Sequence, residues 1–238
     1  MYDIIFKMRA FFKPVLIIFG LSLFMLAIAK EGYAMTGNIH WLGHDTFRIE
    51  GEQLIYTDPF KIKKKDTAGI ILITHEHYDH CSAEDVKKLQ GPETVIVTPA
   101  DCASKLQGNV KIVKPGDKIE VGGVQIEAVP SYNTNKQFHT KDRGWVGYVF
   151  TVKGQRIYIA GDTDHIPEMK NIRTDIALLP VSGTYVMTAD EAAQAALDIK
   201  PKVAIPMHYG SIVGTKEDAR KFAEKLKGKI EVVILPEE

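Results

Sequence analysis

Cysteine is scarce in this chain, and neither sign of charge is in excess. The two cysteines among 238 residues can form at most one disulfide bond, which excludes a scaffold stapled by several disulfides. Lys and Arg together number 30, as do Asp and Glu. Because a nucleic-acid-binding domain usually carries a basic excess, we expect no nucleic-acid partner. The hydrophobic content of 45% argues against a disordered chain and predicts a folded globular protein.

The sequence also lacks the motifs of two common enzyme classes. Neither the G-x-S-x-G turn of serine hydrolases nor the G-x-x-x-x-G-K-[ST] phosphate-binding loop occurs in it. Cys81 and Cys102 stand in no motif for nucleophilic catalysis, and we interpret Cys81 as a small buried residue. The eight histidines, three of which fall within six residues, are therefore the first candidates for chemistry.

Long hydrophobic runs are absent except near the N-terminus. Three basic residues, the last of them Lys13, precede an uncharged run at residues 14–29. A basic segment followed by a short apolar one is typical of a secretory signal peptide. With its apolar neighbours, the run also approaches the roughly 20 residues of a membrane-spanning helix. We therefore interpret residues 1–34 as a signal peptide or membrane anchor and expect a protein that is exported, to the periplasm or outside, or membrane-anchored. If Met35 is the true start, we expect a cytoplasmic protein instead.

From residue 36 onward, short apolar runs rich in β-branched and aromatic residues alternate with turn residues, which predicts strands. Ser82, Thr188 and Thr215 are N-cap residues that predict helices. Because the strands do not alternate strictly with helices, we predict one domain over residues 36–238, with two packed sheets and outer helices. The predicted strands are 39–42, 46–50, 53–57, 69–73, 94–97, 110–113, 124–129, 146–152, 156–160, 176–179, 203–206 and 230–235, and the helices are 83–90, 189–199 and 215–227.

Metal-competent side chains directly follow one of these strands. The segment His75-Glu76-His77-Tyr78-Asp79-His80 comes after the apolar strand 69–73. Since side chains alternate along a strand, His75 and His77 project to the same side, and the following turn brings Asp79 and His80 back toward them. Four nitrogen and oxygen ligands from one short loop suit zinc, and also iron or manganese.

Two later strands end in the same way. Asp162 follows the predicted strand 156–160, and His208 follows the predicted strand 203–206. Taken alone, Asp162 is more typical of an ordinary turn than of a metal site. His208, taken alone, is more typical of a structural histidine than of a metal ligand. Their repetition at strand ends predicts a metal site built along one edge of the sheets.

With these residues in place, the chain resembles the metallo-β-lactamase-fold hydrolases. His75, His77, Asp79 and His80 match the H-x-H-x-D-H motif of that superfamily. Within it, the chain most resembles the branch of the ascorbate-6-phosphate lactonase-like proteins and the N-acyl-phosphatidylethanolamine phospholipase D type. The resemblance covers nearly the whole chain after residue 36. It includes Trp41-Leu42-Gly43-His44, Thr57-Asp58-Pro59-Phe60, Gly144-Trp145-Val146-Gly147-Tyr148, Gly161-Asp162-Thr163 and Pro206-Met207-His208-Tyr209-Gly210.

The resemblance implies a fold of the α/β class and a dinuclear site. The fold would be an αβ/βα four-layer sandwich of two mostly antiparallel sheets with outer helices. The site would hold two divalent ions, which we expect to be zinc, with manganese or iron as alternatives. By the resemblance, the first ion is bound by His75 and His77, the second by Asp79, His80 and His208, and both by a bridging Asp162.

The resemblance implies that two further residues support the metal ligands without binding the metal themselves. Asp58 would lie under the metal loop, and His44 would lie near the mouth of the site. For each of them, a purely structural role is an equally good interpretation. His40 and His165 are interpreted as packing or solvent-exposed histidines.

The sequence departs from the family pattern at the third histidine of the first ion. Many members carry it soon after a strand that ends in proline, but here Pro130 is followed by Ser131-Tyr132-Asn133. The nearest histidine is His139, nine residues past Pro130, and we assign it to the first ion through a loop that folds back. The alternative is that Asn133 or water takes this position and that the first ion binds weakly.

The reaction implied by such a site is hydrolysis. Two divalent ions would generate hydroxide from a shared water, oriented by Asp79 and Asp162, for attack on an ester, lactone or phosphodiester. The substrate would be a small or lipid-like molecule, and both membrane contact through residues 1–34 and a homo-oligomer are open. The alternatives are a non-catalytic and an iron-loaded redox metal-binding protein of the same fold.

Overall fold

The computed structural model describes residues 35–63 and 66–238. The predicted signal peptide or anchor, residues 1–34, lies outside the described residues. Within the described ranges, no helix has both the length and the apolar character needed to cross a bilayer.

The first sheet has six strands, which lie side by side in chain order. They are β1 (Ile39–Trp41), β2 (Phe47–Glu50), β3 (Leu54–Thr57), β4 (Ile70–Leu72), β5 (Val95–Thr98) and β6 (Asn109–Ile112). The first three are antiparallel neighbours, and each pair from β3 to β6 is parallel. A hairpin turn around Gly51 joins β2 and β3, because Glu50 pairs with Leu54 across it.

The second sheet has seven strands, which also follow chain order from one edge to the other. They are β7 (Lys118–Val121), β8 (Val124–Pro130), β9 (Val146–Val152), β10 (Gln155–Ile159), β11 (Ile176–Pro180), β12 (Val203–Met207) and β13 (Glu231–Val232). Lys153 and Gly154 form the turn between β9 and β10, with φ of 49° and 75°. Two consecutive residues with positive φ suit the tight turn of a β-hairpin.

The sheets are mixed, so the expectation of mostly antiparallel sheets was wrong in this detail. Among the described strands, six neighbouring pairs are parallel and five are antiparallel. Parallel neighbours need a crossover connection, commonly a helix. The helices predicted between later strands are such crossovers. An example is the helix predicted over residues 189–199, which lies between β11 and β12.

The helices lie outside the two sheets. They are α1 (Ala83–Leu89), α2 (Ala100–Ala103), α3 (Ala189–Ile199) and α4 (Lys216–Leu226). Ser82, Thr188 and Thr215 each accept a backbone hydrogen bond in the first turn of the following helix, so the predicted N-caps are confirmed. On the outer side of the second sheet, α3 contacts β11, and α4 contacts β12 and β13.

The main core lies between the sheets. Phe47, Ile49 and Leu72 of the first sheet and Val146 and Phe150 of the second belong to one buried cluster. On the other face of β4, Ile71 packs in a second cluster with residues of α1. This alternation, together with the outer helices, confirms the predicted four-layer sandwich.

Three short elements were not predicted or were predicted too long. Strand β7 was missed because exposed Lys118 and Glu120 alternate with apolar residues at the sheet edge, which weakens the apolar run. Helix α2 was missed because its four residues are too few for a periodic pattern. Strand β13 contains two residues rather than six.

Strand direction explains where the polar loops meet. In the first sheet, β1, β3 and β4 run in the same direction, since β1 and β3 are both antiparallel to β2 and β4 is parallel to β3. In the second sheet, β8 is parallel to β10, β11 and β12 by the same reasoning. The carboxyl ends of these strands therefore share an edge within each sheet, and this edge carries the site.

Candidate metal centre

The residues that follow the strands at this edge form one largely buried histidine and aspartate cluster. Six of the eight histidines belong to it, whereas His40 and His165 lie outside and pair with Glu238 and Asp198. The cluster residues are His44 and Asp45 after β1, Asp58 after β3, His75, His77, Asp79 and His80 after β4, His139 after β8, Asp162 after β10 and His208 after β12.

Three imidazoles form the first part of the cluster. Nδ1 of His77 lies 3.1 Å from Nε2 of His75 and 3.2 Å from Nε2 of His139. Nitrogen ligands of one tetrahedral zinc ion, at 2.0–2.1 Å from the metal, would stand roughly 3.3 Å apart. The loop that follows β8 therefore folds back as predicted and brings His139 to His75 and His77.

Asp162 joins this part to a second part of the cluster. Its Oδ2 lies 3.2 Å from Nε2 of His139 on one side and 3.2 Å from Nε2 of His208 on the other. Its Oδ1 lies 3.5 Å from Nε2 of His80, and Oδ2 of Asp79 lies 3.7 Å from the same nitrogen. Asp162 thus occupies the central position that a bridging ligand requires.

Buried polar atoms without hydrogen-bond partners mark the centre of the second part. Nε2 of His80 and Oδ1 of Asp162 are both buried and have no partner among the described residues. Leaving such atoms unpaired in a protein interior is costly. A divalent cation would satisfy both, since imidazole nitrogen and carboxylate oxygen are zinc, iron and manganese ligands. The donor set therefore fits the metal that the fold family implies.

The ring nitrogens that face away from the cluster hold the ligands in orientation. Nδ1 of His80 donates to Asp58 at 2.9 Å, which leaves Nε2 free to bind a cation. Nδ1 of His75 lies 2.9 Å from the hydroxyl of Thr74, and Nδ1 of His208 lies 2.9 Å from the hydroxyl of Ser182. In each case, Nε2 is the nitrogen that points into the cluster.

Asp58 anchors the metal loop to the first sheet. Its carboxylate accepts hydrogen bonds from the backbone N–H and the hydroxyl of Thr74, both at 2.7 Å, in addition to that from His80. Asp58 is fully buried. The structure therefore places it under the loop, in the supporting position that the family resemblance implies.

His44 contacts the loop from the side of the second part. Its Nε2 lies 3.0 Å from Oδ2 of Asp79, and burial lowers the pKa of His44 to about 4. The ring is therefore neutral at pH 7 and donates its Nε2 proton to the carboxylate. His44 orients Asp79 rather than facing solvent.

Charges within the cluster balance one another. Burial, reinforced by the nearby His80, holds the pKa of His75 well below its usual range, so that its ring is neutral, as metal binding requires. Burial would also lower the pKa of His208, but the carboxylates of Asp162 and Asp45 outweigh it and raise that pKa to about 9. A divalent cation next to Asp162 would take over this neutralising role from the imidazolium.

The backbone is strained at several of these residues. Four of the seven non-glycine residues with positive φ in the described part of the chain belong to the cluster: His44, Asp58, His139 and His208. Such conformations cost about 1–3 kcal/mol each and gather at functional sites. Gly161, at φ 63°, precedes Asp162, and a Cβ there would lie 2.9 Å from Cβ of Thr74. Only glycine fits this approach of β10 to the metal loop.

A cavity of about 230 Å³ opens onto the cluster. His77, His139 and Asp162 contribute to its lining, so a molecule that enters it meets both parts of the cluster. Tyr78, Phe138 and Ile212 line it as well, with exposed fractions of 69%, 49% and 38%. The entrance to the cluster is therefore largely apolar.

The sequence analysis did not identify two residues of the site. Asp45 lies within the cluster, but a single Asp in a turn carries no signal of its own. Trp145, quoted only as part of a family segment, packs against His75 at 4.8 Å and His77 at 5.0 Å between ring centroids. Its indole N–H donates to Asp101, which fixes the ring behind the first part.

Comparison with known sequences identifies relatives along most of the chain. Residues 38–208 match a family described as the beta-lactamase superfamily domain. A UPF0173 metal-dependent hydrolase of Thermoplasma volcanium is 35% identical over 216 residues, which cover 85% of this chain and 96% of that protein. Another from Archaeoglobus fulgidus is 32% identical over 219 residues, which cover 83% and 95%.

Solved structures share the architecture. A crystal structure from Parabacteroides distasonis, named as a suspected metal-dependent hydrolase, matches with a TM-score of 0.75 at 36% identity and covers 83% of this chain and 91% of that one. A metallo hydrolase of Ignicoccus hospitalis matches with a TM-score of 0.67 at 23% identity, covering 83% and 94%. The second likeness shows the fold alone.

Proposed function

Because the chain belongs to the UPF0173 metal-dependent hydrolases of the beta-lactamase superfamily, we propose that its cluster binds two divalent cations and hydrolyses an ester, lactone or phosphodiester. We propose zinc as the native metal, with manganese or iron as alternatives. The first cation would be held by His75, His77 and His139. The ligands of the second would be Asp79, His80 and His208, and Asp162 would contact both.

One observation carries this proposal: Asp162 lies between two sets of imidazole nitrogens. The same oxygen is 3.2 Å from His139 and from His208, while the other is 3.5 Å from His80. A single metal site would need only one of these sets. Two sets that share a carboxylate are the arrangement expected of two adjacent ions.

Each residue near the reaction then has a defined task. When bound, the cations would supply Lewis acidity and lower the pKa of water toward about 7. The carboxylates of Asp162 and Asp79 would orient the attacking water. His44 keeps Asp79 turned toward the cavity through its 3.0 Å hydrogen bond. No serine or cysteine nucleophile is required.

The apolar entrance supports a substrate with an apolar part. Tyr78, Phe138 and Ile212 expose ring and aliphatic surface beside a polar floor. Such an arrangement suits a polar bond to be cleaved that carries an acyl or alkyl chain. It is in keeping with the branch of the lactonase-like and phospholipase D-type proteins, which we retain as the proposed position within the superfamily.

The test combines metal analysis with a substrate panel. We expect elemental analysis of the purified protein to give about two divalent ions per chain. We also expect turnover of at least one ester, lactone or phosphodiester that a chelator abolishes and metal restores.

The matched variants are Asp162→Asn and His165→Ala. The first removes the shared carboxylate charge and should abolish turnover, whereas the second changes a histidine outside the cluster and should not. A metal-loaded protein that turns over no member of the panel would contradict the proposed hydrolysis.

A further inference from the structure

Asp45 is the buried acid of the cluster that the proposed function leaves without a task. It lies in the turn between β1 and β2 and is 0% exposed. Neither of its carboxylate oxygens has a hydrogen-bond partner among the described residues. Buried carboxylates are ordinarily paired, hydrogen-bonded or bound to a cation, so this one calls for a partner.

The turn holds Asp45 in place through its backbone. The carbonyl of Asp45 accepts a hydrogen bond from the hydroxyl of Thr57 at 2.8 Å. On either side, the backbone N–H of Thr46 bonds to Gly43, and the carbonyl of His44 accepts from the indole of Trp41. The carboxylate is therefore fixed next to the cluster.

Two groups of possible ligands include Asp45, and their hydrogen bonding distinguishes them. In one, its carboxylate lies with Asp58 and His80, where Oδ2 of Asp45 is 4.0 Å from Nδ1 of His80. That nitrogen is already bonded to Asp58, whose two oxygens also accept from Thr74. This side of the cluster has no further need of a cation.

In the other group, the ligand atoms of Asp45, Asp162 and His208 all lie within 4.8 Å of one another. Among the described residues, Oδ1 of Asp162 has no hydrogen-bond partner, and the same holds for both oxygens of Asp45. Two buried carboxylates this close need a positive charge beside them, and a divalent cation would supply it in place of the imidazolium of His208. The unsatisfied atoms thus face the second cation position.

We propose that Asp45 supplies an additional carboxylate oxygen to the second cation, alongside Asp162 and His208. This inference rests on the proposed function, since it assumes that the cluster binds two cations. It makes the two positions chemically unlike. The first has three imidazoles and the shared carboxylate of Asp162, whereas the second has two imidazoles and carboxylates from Asp45, Asp79 and Asp162.

The proposal predicts a difference in metal preference. Oxygen-rich sites favour manganese over zinc more than imidazole-rich sites do. We therefore expect zinc and manganese offered together to distribute unequally, with manganese entering the second position. Replacing Asp45 should reduce this difference.

Variants of Asp45 test the proposal without relying on activity. Asp45→Asn keeps the shape, and Asp45→Ala removes the side chain. In the metal-free protein, we expect an unchanged or higher unfolding midpoint, because the buried acid group that is removed has no hydrogen-bond partner among the described residues. We expect the affinity for the second cation to fall tenfold or more, since residues that only support a ligand already change affinity by about 10–100-fold.

The matched control is Asp85→Asn. Asp85 is also a buried aspartate, but its oxygens accept from the backbone N–H groups of Lys61 and Ile62. This variant should lower the unfolding midpoint and leave two cations bound. Isothermal titration of the metal-free proteins with zinc and with manganese measures both affinities, and elemental analysis gives the stoichiometry.

The outcomes separate this inference from the proposed function. If the Asp45 variants bind the second cation as tightly as the native protein, the inference is wrong, whatever the activity. If the native protein binds two cations with the predicted loss in the variants but hydrolyses nothing, the inference stands and the hydrolysis fails. A lower midpoint of both metal-free variants with unchanged metal affinity would make Asp45 a structural residue.

Discussion

A single histidine decides how many imidazoles the proposed first cation would meet. His139 comes from a loop nine residues past Pro130, yet its Nε2 lies 3.2 Å from His77. We predict that His139→Ala lowers bound metal from about two ions to about one per chain, because two imidazoles and the shared Asp162 would hold the first cation weakly. Elemental analysis after dialysis measures this, with His165→Ala as control. Full occupancy in His139→Ala would refute the assignment.

The residues of the site differ in how far the sequence could predict them. One short segment contains His75, His77, Asp79 and His80, so their spacing alone predicted a metal-binding loop. Asp45 could not be recognised in this way, because its significance lies in having no hydrogen-bond partner within the described part of the folded chain. A role that depends on residues distant in the sequence can be recognised only from the folded structure, in which paired strands bring those residues together.

His44 gives the metal-free protein a pH dependence of its own. Burial lowers the pKa of His44 to about 4, against about 6.5 in an unfolded chain. Between these values, the unfolded chain binds a proton at this residue and the folded protein does not. The stability that neutral His44 contributes is therefore complete above pH 6.5 and is lost as the pH falls through 4.

The variant His44→Gln isolates this effect. Glutamine can still donate to Asp79 but does not titrate. At about 1.4 kcal/mol per pKa unit, we expect the native protein to lose roughly 3 kcal/mol more than the variant between pH 7 and pH 4. Urea unfolding of both metal-free proteins across this range measures the difference. Parallel pH profiles for the two proteins would contradict it.

Among the helices, α4 tests how far local capping stabilises an outer layer. The hydroxyl of Thr215 and the carboxylate of Asp218 form a capping box at its start. We predict that Thr215→Ala lowers the free energy of unfolding by about 1 kcal/mol. Bound metal should not change, because α4 contacts β12 and β13 on the outer face of the sheet.

A neighbouring exposed residue provides the control for this prediction. Lys216→Ala keeps the capping box and should change the free energy of unfolding by less than about 0.5 kcal/mol. Urea titration resolves the difference. Equal stability of Thr215→Ala and the native protein would show that the capping hydrogen bonds add nothing in this context.

The secondary-structure elements were largely predictable, and the failures have physical causes. Strands such as β9 and β11 are buried on both faces, so their continuous apolar runs stand out in the sequence. Strand β7 half-exposes its side chains at an edge, which leaves no such run. Whether two neighbouring strands are parallel depends on the connection between them, which is why the mixed character of the sheets was not foreseen.

The surface of the molecule concentrates its apolar side chains at the entrance to the cluster. In the described part, five large apolar residues are exposed, and three of them, Tyr78, Phe138 and Ile212, line the same cavity. Apolar surface gathered in one place commonly marks a binding site, whereas single exposed residues such as Ile112 are ordinary. The entrance should therefore govern substrate preference.

Rate constants for esters of increasing acyl length test whether the apolar entrance governs substrate preference. For the native protein, we expect kcat/KM to rise by up to about fourfold for each methylene that the entrance buries, equivalent to about 0.8 kcal/mol. The double substitution Phe138→Ala with Ile212→Ala should flatten this rise while leaving bound metal unchanged. Ile112→Ala removes a side chain that is 60% exposed and lies outside this cavity, and it should keep the native slope. If the double variant kept that slope too, the apolar entrance would have no part in choosing the substrate.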